Sequence, residues 1–375
     1  MMRSAVEKAK ISSVQLFSLL AIFGLGTALV VPLGMDAKQD AWLAILLGLL
    51  GGVVLFKVYD YLFRQYPGMP LTSYIQAILG KYIGWPLGLL YVVFFIYGGA
   101  RDLRDVGSLL IASGYDRTPL FVINVLIIVS VAYVIQKGIE VIARTGEILF
   151  IFLTGLGALG NVLVISSGIL NVKNLLPVLG HGWNPVLSTA LSQTIMFPFG
   201  EAVCFTMILP YLNRLNLAMK TGLAAMVYSG AVLSLTIAVE IAVLGVDITS
   251  RSTFPLLTTI SKVNIADFIQ RMDAIVVFTL IITDFFKIAI FFYVAVIGSA
   301  DLFGVQKYQK LVLPIGMLII FSSITIASNF PEHLKEGKLA LKTIFPIFSA
   351  GIPLLLLAVV LIRKRFGAHV SGKTP

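Results

Sequence analysis

Apolar residues run in blocks of about twenty along the whole chain, each long enough to cross a hydrocarbon core of roughly 30 Å. The blocks predict ten membrane spans, near residues 11–34, 41–63, 84–113, 118–136, 144–167, 185–209, 217–245, 267–297, 311–328 and 344–362. Between the second and third, Leu71 to Leu79 is too short to cross and reads as an interfacial helix. Polar residues collect in the connections, of which the longest lie near 168–184 and 246–266.

The pattern carries a symmetry. Ten spans divide five and five at the 168–184 connection, and an odd number per half obliges the second half to enter the membrane upside down. The expected architecture is therefore an all-α polytopic membrane domain over 1–375, with inverted repeats at about 11–167 and 185–363. Corresponding spans agree in character: the first and sixth are interrupted by glycine or proline, and the third and eighth are the longest and hold embedded charges.

Composition fits that reading, with 58% hydrophobic and 12% charged residues against roughly 45–50% and 25% in a soluble domain. A net charge of +10 would suggest nucleic acid in a soluble protein. Here the basic residues sit in short connections, where they read as topology signals that place both termini on the cytoplasmic side. The first span is too long for a signal-peptide core and lacks a small-residue cleavage site. Cys204 is the single cysteine, so no intrachain disulfide is possible.

The interruptions are the main candidate for function. The first span reads Phe23-Gly24-Leu25-Gly26-Thr27, and the sixth reads Phe197-Pro198-Phe199-Gly200-Glu201. Each interior glycine costs a helix about 1 kcal/mol, and proline removes a backbone donor. Backbone groups freed in mid-membrane cannot face lipid, so protein, water or a ligand must satisfy them. Broken helices at matching positions of inverted halves point to a midplane binding site; taken singly, each break also fits a simple packing device.

Charge adds a second set of candidates. Glu201 sits at the sixth-span break, where an ionisable group costs roughly 2.5–3.5 kcal/mol or more. It can pair with a ligand ammonium, carry a proton, or cap the second half-helix. Arg101, Asp102, Arg104, Asp105, Arg271 and Lys287 fall within predicted spans, and Arg101 and Asp105, at i,i+4, are expected to pair on one helical face. In the eighth span Asp284 and Lys287 are i,i+3 neighbours beside Thr279 and Thr283. Tyr97, Gly98 and Gly99 would supply an aromatic wall and a close backbone approach.

Other patterns carry no chemistry. Gly367 to Thr374 fits a phosphate-binding loop literally but lacks the flanking strand and helix. The three histidines are read as lying in separate connections without metal-ligand spacing. Gly48 and Gly52, and Gly155, Gly157 and Gly160, read as small-residue helix contacts. No nucleophile, base and orienter come together in the pattern, so the chain reads as a non-enzyme without cofactor or metal.

The opening Ile11-Ser12-Ser13-Val14-Gln15, the glycine-interrupted first span and the proline-glycine-glutamate cluster of the sixth resemble the spore germination permeases. These are the integral-membrane B subunits of nutrient germinant receptors, within the amino acid-polyamine-organocation (APC) superfamily. The resemblance implies a leucine-transporter-like fold with discontinuous helices 1 and 6 and a ligand held between spans 1, 3, 6 and 8. It implies a small nutrient, an amino acid or a sugar, and two partners: an A-type receptor subunit and a C-type lipoprotein subunit. The setting would be the spore inner membrane, with the termini on the core side. Carried onto this sequence, the ligand-binding residues are Gly24, Gly26, Thr27, Tyr97, Pro198, Gly200, Glu201 and Thr283, and the gating or ion-pair residues are Arg101, Asp105, Asp284 and Lys287. A secondary amino-acid transporter, with or without a coupled proton, and an ion or water conduit in a larger complex use the same cavity and stay open as alternatives.

Overall fold

The computed structural model describes residues 9–263 and 273–365; Arg271 and the loop-like pattern at 367–374 lie outside them. Ser12 and Gln15 form a capping box, with Gln15 N donating to Ser12 Oγ at 3.1 Å and Ser12 N donating to Gln15 Oε1 at 2.9 Å, and so start α1 (Ser13–Leu25). The helix stops at Gly26, whose φ of −2° and ψ of −125° are not helical, and a short 3-10 turn at Thr27–Leu29 follows. The sixth segment breaks in the same way. A single α-helical stretch, α7 (Trp183–Thr189), widens into π-helical turns over Ala190–Phe199, Phe197 turns extended at φ −129° and ψ 121°, and a 3-10 stretch Gly200–Met207 resumes. The Phe197-Pro198 peptide is cis. The two broken segments are clipped together at one end, where Ile11 N donates to Tyr211 O and Asn213 N donates to Ile11 O.

Around them stand α2 (Ala41–Gln65), α3 (Leu71–Leu79), α4 (Lys81–Ala112), α5 (Leu120–Gln136), α6 (Ile139–Ser166), α8 (Ala218–Leu244), α9 (Val246–Arg251), α10 (Pro255–Ile260), α11 (Asp273–Phe303), α12 (Gln309–Thr325), α13 (Phe330–Pro346) and α14 (Ile352–Arg365). Six of the described helical segments are long and apolar enough to cross a membrane, three shorter apolar ones accompany them, and the broken sixth completes the ten. The molecule is an all-α integral membrane protein. The third and eighth spans, α4 and α11, are paired along their length at the centre. Burial follows position: 83% of the apolar window of α11 is buried, against 50% for α4 and 11% for α6.

Two local expectations are corrected, the start of the tenth helix and one of the glycine stripes. The tenth span does not begin near 344, because helix already starts at Phe330, capped by the Asn329 side chain accepting from Glu332 N. Its first turns are charged on one side and bury His333, Gly337 and Ala340 on the other, a spacing of four and three that a search for apolar runs passes over. The α3 helix, nine residues long and too short to cross, packs on the bundle, with Leu71, Tyr74, Ile75 and Ile78 buried against α4 and its neighbours.

The glycine stripes divide. At Gly48 a side chain would place its Cβ 2.3 Å from Thr194 Oγ1, and at Gly52 2.3 Å from Phe199 Cβ, so α2 needs both glycines to approach the broken sixth segment. By contrast, a Cβ at Gly155, Gly157 or Gly160 would meet nothing within 4 Å, so among the described residues no helix packs on that stripe. Gly48→Ala is therefore expected to destabilise the protein by about 1–3 kcal/mol, while Gly157→Ala is neutral or stabilising by up to about 1 kcal/mol. Thermal melting in detergent distinguishes them, and equal losses from both variants would contradict the packing described.

Candidate functional site

The break at Gly26 lets a side chain from α11 into the middle of the bundle. A Cβ at position 26 would lie 2.7 Å from Lys287 Cδ, so the lysine stem crosses where any other residue would put a side chain. The Lys287 side chain is fully buried, and its Nζ lies 2.8 Å from Glu201 Oε2 and 3.6 Å from Asp102 Oδ1. The contact with Glu201 is an ion pair off the direction of a hydrogen bond. The same ammonium lies 4.4 Å from the centre of the Phe197 ring and 5.5 Å from that of Phe23, one aromatic from each broken segment.

Thr27, the first residue past the break, completes the inner cluster. Its Oγ1 is 2.5 Å from Asp102 Oδ1 and 3.1 Å from Asp284 Oδ1. Asp284 is buried and its Oδ2 has no hydrogen-bond partner among the described residues. One ammonium thus pairs with two carboxylates, from α4 and the sixth segment, while Asp284 of α11 reaches the cluster through Thr27, with all four side chains out of solvent. An arrangement of this kind is strongly destabilised by loss of one partner, because the others are left buried and unpaired.

A second tier lies along α4 against α13. Arg101 pairs with Glu336, which also accepts from the Tyr97 hydroxyl, and the Arg101 guanidinium carbon sits 5.7 Å from the Tyr97 ring centre. Asp105 instead meets His333 Nε2 at 3.0 Å. The expected i,i+4 pairing of Arg101 with Asp105 is thus replaced by tertiary partners on a helix that the sequence pattern left as a connection. His333 is likewise not in a loop but buried in α13. Gly337 makes the Arg101 contact possible, since a Cβ there would lie 2.3 Å from Nη2.

The expected site residues therefore fall into groups. Gly26, Thr27, Glu201, Asp284 and Lys287 converge, together with Asp102, whose part in the cluster the spacing gave no reason to separate from Arg101 and Asp105. Gly24 faces Ser229 of α8. Pro198 is buried, and Gly200 faces Ser349 of the π-helical turns Ile347–Gly351 that precede α14; the single Tyr59 hydroxyl hydrogen is shared between the Gly200 carbonyl, at 3.2 Å, and the Ser349 carbonyl, so protein groups surround the backbone opened at this break. Tyr97 belongs to the second tier. Thr283 donates to its own helix at Leu280 O and lines a cavity of about 320 Å³ between α1, α6, α8, α10 and α11. That cavity touches Ile22, Leu25 and Leu29 of the first segment. The space between the two breaks themselves is filled by Lys287.

Comparison with known proteins fits this geometry. The family model for "Spore germination protein" matches residues 10–331. Over 369 residues the chain is 42% identical to spore germination protein KB of Bacillus subtilis (strain 168), covering 98% of this chain and 99% of that one. Among solved structures it is similar to MHP1, a nucleobase-cation-symport-1 family transporter in a closed conformation with bromovinylhydantoin bound, at a TM-score of 0.67 and 14% identity over 97% of this chain and 81% of that one. It is also similar to MhsT in complex with L-phenylalanine, at a TM-score of 0.65 and 15% identity over 94% and 88% of the two chains. At these identities the structures share the fold, which is the leucine-transporter-like one with broken first and sixth helices.

If α13 packs on α4 as described, Glu336→Ala strands a largely enclosed guanidinium and costs about 2 kcal/mol. Lys335→Ala, on the exposed side of the same helix, stays within about 0.5 kcal/mol of the parent. Detergent melting curves of the two variants check this, and indistinguishable curves would contradict the placement of α13.

Proposed function

The chain belongs to the spore germination protein family, and from that premise we propose that it is the integral-membrane subunit of a nutrient germinant receptor. A small nutrient binds beside the paired helix breaks, and partner subunits read the resulting change. The observation that carries this reading is the meeting of both breaks at one buried charge cluster with a cavity alongside. Broken backbone and buried charge are costly unless they serve a site. In the two solved structures of the same fold the bound molecules are a hydantoin and an amino acid, both small. The proposal extends to repeats at 11–167 and 185–363, to an A-type receptor subunit and a C-type lipoprotein as partners, and to the spore inner membrane with both termini on the core side.

The physical step would be competition for Lys287. A nutrient with a carboxylate or hydroxyl near Gly26 gains contacts with the ammonium, and one with an ammonium gains contacts with Glu201 or Asp284. Either weakens the lysine's hold on one helix relative to another. A ligand shifts a conformational equilibrium only by its difference in affinity for the two states. Contacts that exist only when Lys287 has moved supply such a difference.

The transporter fold favours a second reading, a secondary transporter that carries an amino acid across the membrane through the same site. The two separate experimentally. On the receptor reading, one nutrient from a panel of amino acids and sugars raises the melting temperature of the purified chain, and Glu201→Gln abolishes the rise. The chain alone in liposomes accumulates none of that nutrient. Robust accumulation would establish the transporter reading, and a panel with no stabilising member would contradict both.

A further inference from the structure

Carboxyl groups outnumber bases at the breaks, and Thr27 reveals how the surplus is held. Its hydroxyl lies between Asp102 Oδ1 at 2.5 Å and Asp284 Oδ1 at 3.1 Å, yet it has one hydrogen to donate. Were both carboxyls ionised, one of these contacts would set lone pair against lone pair in a site closed to solvent. The lengths assign the hydrogen. The shorter separation, 2.5 Å, is that of an O–H donor on a charged oxygen, so the single Thr27 hydrogen goes to Asp102. Asp102 also has the Lys287 ammonium at 3.6 Å from the same oxygen, whereas no cationic nitrogen among the described residues lies within 4 Å of Asp284.

We propose that Asp284 is a proton-binding site. Its carboxyl O–H donates to Thr27 Oγ1, and the Thr27 O–H donates to the Asp102 carboxylate, which the Lys287 ammonium balances. Among the described residues the charged groups facing the Asp102–Asp284 pair are Arg101 and Asp105 of α4, Lys287 of α11 and, beyond Lys287, Glu201 of the sixth segment. His333 of α13 is held on Asp105. On the cavity side the adjacent Thr283 shares the cavity lining with Leu153 and Thr154 of α6 and Thr259 and Ile260 of α10, all uncharged. Because Thr27 opens the first-span break, the proton joins that break to α11. Its loss leaves two carboxylates sharing one hydroxyl, and the repulsion releases Thr27 from Asp284.

The test needs no nutrient. Infrared spectra of the full-length chain in lipid membranes at neutral pH should contain a protonated-carboxyl C=O stretch that vanishes in Asp284→Asn, persists in Glu201→Gln, and shifts without vanishing in Thr27→Val. Loss of the band in Asp102→Asn but not in Asp284→Asn would move the proton to the other carboxyl and overturn the assignment. Absence of any band that responds to Asp284 would overturn the proposal. As an independent readout, Asp284→Asn keeps a donor to Thr27 and should melt within about 2 °C of the parent, whereas Asp102→Asn takes a partner from Lys287 and should melt more than about 5 °C lower. Equal losses would mean that Asp284 is ionised. Stabilisation of the parent chain by sodium or potassium over choline, lost in Asp284→Asn, would identify a metal cation and contradict the proton.

Discussion

A lysine ammonium in the middle of a membrane protein has to be neutralised by the protein itself, and much of this fold is arranged around that requirement. Lys287 is fully buried on α11, the most enclosed of the long helices. Its counter-charges come from α4 and from the break in the sixth segment, and the break in the first segment yields the room its stem occupies. Bringing these charges out of water costs several kcal/mol per ion. That cost is recovered only when all the contributing segments stand in their present places, so one side chain makes the position of each broken helix depend on the other.

The breaks are therefore not open ends waiting for a solute. The Tyr59 hydroxyl of α2 sits between the Gly200 and Ser349 carbonyls, Thr27 is engaged by two carboxyl groups, and the strand-like clip between Ile11 and Leu212 ties the segments at one end. A ligand acting here would have to trade places with contacts the protein already makes. Such a site favours a switch between two discrete arrangements over a passive pocket, since either set of contacts satisfies the buried charge and a mixture of them does not. The cavity between α1, α6, α8 and α11 gives one broken segment a neighbouring space into which side chains can move.

Much of the architecture was legible in the chain. Span positions follow from apolar blocks, and the breaks follow from glycine and proline in mid-span, because these residues act locally. Burial of Glu201, Asp284 and Lys287 was equally legible, since a charge inside an apolar run has nowhere else to go. Partners were not. Arg101 and Asp105 have the right spacing to pair with each other, yet Glu336 and His333 take them, and nothing local to α4 announces that choice. The start of α13 was hidden because its exposed side carries Glu332, Lys335 and Lys338, which dilute the apolar signal; only the His333, Gly337 and Ala340 periodicity marks the buried side. That Lys287, and not an empty pocket, fills the space between the breaks depends on the length and direction of one side chain, which spacing does not encode.

The dependence of the two broken helices on Lys287 is tested most directly by a double-mutant cycle between Lys287→Met and Glu201→Gln, with unfolding free energies measured in mixed micelles. A buried ion pair that locks the sixth segment to α11 gives a coupling energy above about 1.5 kcal/mol. Losses that add to within about 0.5 kcal/mol would mean that the two side chains do not interact in the folded protein, and the account of the central cluster would fail.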